Sequence, residues 1–425
     1  MKSLLEHALT VIRPSPEELS RELRSAKMLL AHIQKNLPKG CRAVLTGSVA
    51  KRTFLRDKRD MDIFMLFDRS VPRDSLEGKI KKVMVRAFPD IGYQLSYAEH
   101  PYARFHFQGR RIDLVPAYKI SKASERVSAV DRSVLHTKFV LSRLRKEARG
   151  EVLLIKQFLN ANGIYGAEIK IGGFSGYLCE LLIIRYGSFA KLIKAASKWK
   201  TPLFIDLAGY HTSKTQVEDA LERFSSGFVV VDPTDKDRNV AAAVTDESFK
   251  KLISLSKSFL RRPSEDFFFR KPESFEESIA KASRGANAYL VTMPRPSVVD
   301  DVLWGQLHKL MRQLKLSLKD YEPKKMLADD SRHLVRIAIV LGKDNLPGKM
   351  LKAGPPLEMK EHVKRFMAGH KRARFVKKKG QIFAEVKRPF TKADEAIRLF
   401  FHSFSKGSSH LSYPEEMVIV EKLKA

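Results

Sequence analysis

The sequence predicts a multidomain α+β protein, and three observations support this. At 425 residues the chain is too long for one ordinary core and falls in the range of two to four domains. A hydrophobic fraction of 44% is enough to build packed cores. The periodicity also changes along the chain: strand-like segments dominate the beginning, helical ones the middle, and a mixture follows. The expected domains are residues 1–147 with a mixed sheet, 148–272 helical, and 273–425 an α+β body and tail.

Residues 15–36 read as a helix, with Ser15 as cap, Pro16 in the first turn, and Glu17 and Glu18 at the positive helix end. RAVLTGS (42–48) is a strand running into a Gly-Ser turn, and DMDIFMLF (60–67) is a buried strand. ARFHF and RRIDLVP flank Gln108-Gly109 as a hairpin. EVLLIKQFLNANG (151–163) is a helix stopped by Asn-Gly, SGYLCELLIIRYGS (175–188) is a second, and residues 245–261 form a third, capped by Thr245. After residue 273 come a strand at AYLVTMP (288–294), a helix over 299–318, and then less regular basic segments.

The loudest bulk signal is charge: 79 Lys+Arg against 48 Asp+Glu, a formal +31. That balance implies a polyanionic partner, nucleic acid first. Cys41 and Cys179 are too few for a zinc cluster and fit a reducing, cytoplasmic setting. No run approaches the ~20 apolar residues of a membrane span. The longest near-apolar run, YLCELLII, is interrupted by Glu180, and the N-terminus lacks the pattern of a signal peptide.

Asp60 and Asp62 are two apart on a strand and are expected to share a face, with Met61, Ile63 and Met65 turned into a core. Carboxylates aimed together repel unless a cation lies between them. Asp113, flanked by Ile112, Leu114 and Val115, is costly to bury alone and is the third candidate ligand. Taken alone, D-x-D is merely the polar edge of a strand. Gly47-Ser48 lies twelve residues before Asp60, with Lys51 and Arg52 following within a turn, which suits a backbone approaching phosphate. The composite of strand, GS, basic pair, D-x-D and a third Asp points to two-metal phosphoryl or nucleotidyl transfer.

GSVAKRTFLRDKRDMDIFMLF and RRIDLVPAYK resemble the signature strands of the polymerase-beta-like nucleotidyltransferases. YAEHPYARF, AVDRSVLHTKF, LNANGIYGAE, GGFSGYLCELL and VVDPTDKDRNVAAAV resemble the archaeal, class I CCA-adding tRNA nucleotidyltransferases, collinearly over about 45–245. The C-terminal third resembles them only in layout and in VVDD (298–301). The resemblance implies a nucleotidyltransferase palm, a helical neck, and a body and tail that hold tRNA. It implies that Asp60, Asp62 and Asp113 bind two Mg²⁺ ions. Ser48, Lys51, Lys156 and Tyr165 would contact the triphosphate of CTP or ATP. His100, Ser133 and His136 would line the nucleotide pocket, and Arg238 would face the nucleobase or the tRNA end. Relatives with Glu at Asp60 or Arg at Lys51 are expected, and both exchanges keep the charge. The resemblance is also compatible with a homodimer.

Each of these residues also has a plain structural role open to it. The two histidines can be ordinary surface or core residues, Lys156 a solvated lysine on an amphipathic helix, and Tyr165 the packing of a turn. GGFSGY reads as a tight entry between helices, and Asp232 and Asp235 as turn and capping residues. KRARFVKKKG (371–380) reads either as a phosphate-binding strip or as a solvated basic hairpin. Two other functions stay open: a poly(A)- or oligo(U)-type RNA terminal nucleotidyltransferase, and an inactive RNA-binding protein on the same fold.

Overall fold

In the computed structural model, residues 1–58, 60–97, 101–271, 273–405 and 409–423 are described. The chain forms two compact units, Met1–Pro272 and Glu273–Ala425.

The first unit opens with helices α1 (Lys2–Ile12) and α2 (Pro16–Asn36). Ser15 and Glu18 close a reciprocal capping box on α2. Next come β1 (Arg42–Thr46), the short α3 (Gly47–Lys51), β2 (Met61–Phe67), α4 (Leu76–Ala87), β3 (Tyr93–Tyr97), β4 (Pro101–Phe107) and β5 (Arg110–Tyr118). The β4–β5 hairpin turns at Gln108 and Gly109, both at positive φ as a tight hairpin turn requires. The sheet order is β1-β2-β5-β4-β3, and β2 and β5 are its parallel pair.

Strand alternation divides this sheet into two faces. Met61, Ile63, Met65 and Phe67 of β2, with Ile112 and Leu114 of β5, pack under α2 and α4 in the main core. Phe64, Val115 and Ala117 point the other way into a small cluster with Val130 and Val134. Asp62 and Asp113 share that second face, by the period of two.

Helices α5 (Arg132–Arg143), α6 (Arg149–Ala161), α7 (Gly176–Tyr186) and α8 (Phe189–Ala196) continue the unit. They are followed by β6 (Leu203–Asp206), α9 (Lys214–Phe224), β7 (Phe228–Asp232), β8 (Asp235–Asn239), α10 (Asp246–Arg261) and α11 (Asp266–Phe269). Phe158, Phe189, Phe259 and Phe268 interlock edge-on or tilted at the centre of this core. The middle region was expected to be helical, but it also holds the β6-β7-β8 sheet. The fully buried run Phe228–Asp232 shows no alternation, so periodicity could not distinguish it from buried helix.

The second unit contains α12 (Phe275–Ala282), β9 (Asn287–Pro294), α13 (Asp300–Ser317), β10 (Pro323–Asp330) and β11 (Leu334–Leu341). Then come β12 (Lys349–Pro356), α14 (Lys360–Gly369), β13 (Arg374–Lys378), β14 (Gln381–Lys387), α15 (Ala393–Ser405) and β15 (Ile419–Lys422). Its sheets run β10-β11-β9-β15 and β12-β14-β13. The basic segments expected to be less regular are therefore mostly strands, because cross-strand backbone pairing does not require apolar side chains. KRARFVKKKG enters β13 and turns at Lys379 and Gly380. No helix among the described residues is long and apolar enough to cross a membrane.

GGFSGY is a close-approach element. A Cβ on Gly173 would stand 2.3 Å from the carbonyl oxygen of Ile164. Gly173→Ala is therefore expected to destabilise the first unit by about 1–3 kcal/mol, measured by urea unfolding.

Candidate active site

The parallel register sets Asp62 directly beside Asp113, and the β1 pairing sets Thr46 opposite Asp62. Gly47 follows Thr46 at φ +69, and a Cβ there would lie 1.9 Å from Asp62 Oδ2. Glycine is thus required twice over, for its backbone angle and for the space. Above these residues is a cleft of ≈ 360 Å³, whose walls include Lys51, Tyr102, Ser133, His136 and Tyr177.

Of the two adjacent carboxylates, Asp62 is electrostatically unsatisfied. Burial, then the charge of Asp113, pushes the Asp62 carboxyl up to about 6, and Lys51 offsets this only in part. Asp113 is held by Arg104, its cross-strand neighbour, through two bonds of 2.8 Å. Asp60 stands just before β2, half exposed, and pairs with Arg111. Asp60 lies one residue outside the strand, and its charge still reaches Asp62, whose carboxyl it helps to raise. Among the described residues, no three acidic, imidazole or thiol groups converge at metal distance. The donors nevertheless fit a hard cation. They are all carboxylate oxygens, two are forced side by side, and the glycine makes the room that the Asp62 carboxylate occupies.

Behind the cleft, Glu180 of α7 is fully buried among cations. Its Oε2 accepts from Lys51 Nζ at 2.5 Å, and its Oε1 accepts from Thr53 Oγ1 at 2.6 Å and Lys156 Nζ at 3.3 Å. Burial works against its charge, but the two lysines outweigh it and hold the carboxyl below its ordinary range. Lys156 also donates to the Thr53 carbonyl at 2.9 Å. It does not line the cleft, and the alternative of a solvated lysine is excluded because only 2% of its side chain is exposed. Tyr165 is packed against the same helix entry, where its hydroxyl lies 3.2 Å from the position a Gly176 Cβ would take.

A second buried carboxylate organises the far wall. Asp232, at the end of β7, accepts from His136 Nε2 at 2.7 Å, Arg238 Nη1 at 2.9 Å and the Tyr177 hydroxyl at 3.3 Å. It also caps its own turn through Thr234, as expected of a turn residue. Burial opposes its charge, but His136, Thr234 and Arg238 keep it ionised below the ordinary carboxylate range. His136 stacks on Tyr177 with ring centroids 4.1 Å apart, and burial lowers its pKa despite Asp232. The neutral ring must place its proton on Nε2, since the carboxylate only accepts.

Among the sequence-predicted residues, Lys51, Asp62, Asp113, Ser133 and His136 meet in the cleft. Lys156 and Arg238 reach it through Glu180 and Asp232. Ser48 is half-buried on α3 and, like Asp60 and Tyr165, stays off the cleft wall. His100 lies outside the described residues. Sequence reading passed over Tyr102, Tyr177 and the role of Glu180. For Glu180 a signal existed, because a carboxylate inside an apolar helical run must be paired.

A mixed sheet with carboxylates on a parallel strand pair, next to a glycine turn that leads into a helix, defines a nucleotidyltransferase. Residues 27–136 match the nucleotidyltransferase domain family, 150–269 the second domain of tRNA nucleotidyltransferase, and 284–412 the C-terminal domain of the CCA-adding enzyme. The CCA-adding enzyme of Methanocaldococcus jannaschii is 35% identical over 90% of this chain and 85% of its own length. That of Archaeoglobus fulgidus is 33% identical over 100% and 96% respectively. The chain belongs to the archaeal CCA-adding enzymes, the tRNA nucleotidyltransferases. A solved cytoplasmic RNA terminal U-transferase shares the fold with a TM-score of 0.50 and 12% identity, over 64% of this chain and 99% of that one.

Two outcomes test the site's electrostatics. Glu180→Gln leaves two lysines buried without a counter-charge and should cost about 3–5 kcal/mol in chemical denaturation. Asp62→Asn should stabilise the metal-free protein. Because the folded pKa of about 6 lies above the usual 3.8, wild-type stability at this position is present at low pH and lost as pH rises through about 6. The mutant's gain should therefore approach at most about 3 kcal/mol at pH 7.5 with chelator and vanish near pH 4.

Proposed function

We propose that the chain is a template-independent RNA nucleotidyltransferase that adds C, C and A to the 3′ end of tRNA, consuming CTP and ATP and releasing pyrophosphate. The observation that carries this reading is the side-by-side pair Asp62–Asp113 at the Gly47 turn, in a chain whose family membership spans its whole length.

Asp60, Asp62 and Asp113 would hold two Mg²⁺ ions. Bound there, the ions would lower the pKa of the attacking 3′-hydroxyl and stabilise the charge on the leaving pyrophosphate. The chain's own residues set the rest. Gly47 brings the backbone close to the triphosphate. Lys51 supplies positive charge from the wall, fixed by Glu180, and Lys156 reinforces it from behind. Ser48 and Tyr165, although off the cleft wall, would contact the triphosphate as it enters, and His100 would line the nucleotide pocket. His136 and Tyr177 form a flat stacked surface against which a base can lie, with Ser133 alongside. Asp232 orients both His136 and Arg238, so Arg238 is held toward the base side. Arg104 takes one hydrogen bond on each Asp113 oxygen and fixes its plane, leaving a further lone pair on each for a cation.

The strongly positive chain suits a structured acceptor read by shape and phosphate contact. The likeness to the U-transferase concerns the fold alone and gives no weight to an oligo(U) product.

Asp62→Ala or Asp113→Ala should reduce CMP incorporation by at least about 10³-fold while tRNA binding survives. The measurement is incorporation of labelled CTP, ATP, GTP or UTP into tRNA lacking its CCA end. Uptake of G or U as readily as C and A would defeat the specificity.

A further inference from the structure

Another cleft of the first unit has a composition that the catalytic site does not explain. It encloses ≈ 470 Å³, within the roughly 300–1,000 Å³ of small-ligand sites. Its floor is apolar, built from Pro14, Leu19, Phe54 and Leu153. Its rim is cationic, with Arg13, Arg52, Lys146 and Arg149, against a single acid, Glu147. The Arg13 guanidinium lies over Gly150, where an added Cβ would come within 2.4 Å of its Nη2. The absence of a side chain at residue 150 thus leaves room for Arg13 in the cleft that Arg149 also lines. Among the described residues, none of the four rim cations has an ion-pair partner. Arg149 is partly buried, and its pKa is lowered by that burial and by the charge of Arg52, with Glu147 only partly opposing.

Cations held together without counter-charges favour an anion, and an apolar floor beneath them favours a flat apolar body. An RNA nucleotide joins the two, with phosphate at the rim and base on the floor. Arg52 directly follows Lys51, so consecutive residues line the two clefts.

We propose that this cleft binds one nucleotide of the RNA acceptor, its phosphate on Arg13 and Arg149 and its base against the accessible apolar surface of Pro16 and Leu19. The inference rests on the reading of the chain as an RNA nucleotidyltransferase. Its role is to hold the strand, separate from the chemistry.

The test is Arg13→Gln/Arg149→Gln in the full chain, with folding checked by thermal melting. Binding of a labelled acceptor minihelix and of a single-stranded RNA oligonucleotide is measured without divalent metal over a range of salt. We expect about tenfold weaker binding and a salt slope shallower by about 1–2. Single-turnover CMP addition at saturating minihelix should stay within about twofold. Unchanged affinity and slope in a folded variant overturns the proposal, as does loss of the saturated rate with affinity intact. Should the double variant not fold, Lys146→Gln carries the same test, with about half the change in slope expected and no change overturning it. A wild type that binds the oligonucleotide through these arginines but not the minihelix would sink the tRNA reading and leave the cleft standing.

Discussion

Much of the first unit depends on the parallel pairing of β2 with β5. That register places Asp62 against Asp113, two like charges on the thinly covered face of a sheet whose other face is a packed core. A fold that forces carboxylates together must offset the repulsion. This one does so with Arg104 on Asp113, Arg111 on Asp60 and Lys51 near Asp62. Asp62 keeps the remainder of the strain as a carboxyl that resists ionisation. Such local instability is tolerated where a cation is to be bound, because the same repulsion that costs stability favours the ion.

The surroundings of the cleft are held by two further buried carboxylates. Glu180 ties the segment after α3, which belongs to the sheet region, to α6 and α7 of the helical region through Lys51, Thr53 and Lys156. Asp232 ties α5 and α7 to the β7–β8 turn through His136, Tyr177 and Arg238. Each ionised group would be expensive alone and is stable only as part of its cluster. The cationic wall and the aromatic wall of the cleft are thus each oriented by one acid. This explains how residues far apart in sequence, such as Lys51, His136 and Arg238, are organised around one cleft.

Local chemistry accounts for what could be read without the fold. The Ser15 and Thr245 caps, the Gln108-Gly109 turn and the Asn162-Gly163 stop are decided by backbone angles and nearby hydrogen bonds. The alternation of β2 shows which residues face the core. The β6-β7-β8 sheet and the strands of the basic C-terminal segments were hidden. In the first, the central strand β7 is uniformly buried, and in the second, charged residues interrupt the short apolar stretches of β13 and β14.

The sequence by itself determined the α+β class, the basic character suited to nucleic acid, and the candidate carboxylates, because charge, periodicity and turn chemistry are properties of neighbouring residues. Only the tertiary structure decided which of those carboxylates stand together. It set Asp62 beside Asp113, left Asp60 outside the strand, buried Lys156 behind the cleft, and made Glu180 and Asp232 the organising acids. These outcomes depend on register and on helix packing between segments up to 130 residues apart. Long-range partners of that kind are chosen by the global fold, and no local pattern encodes them.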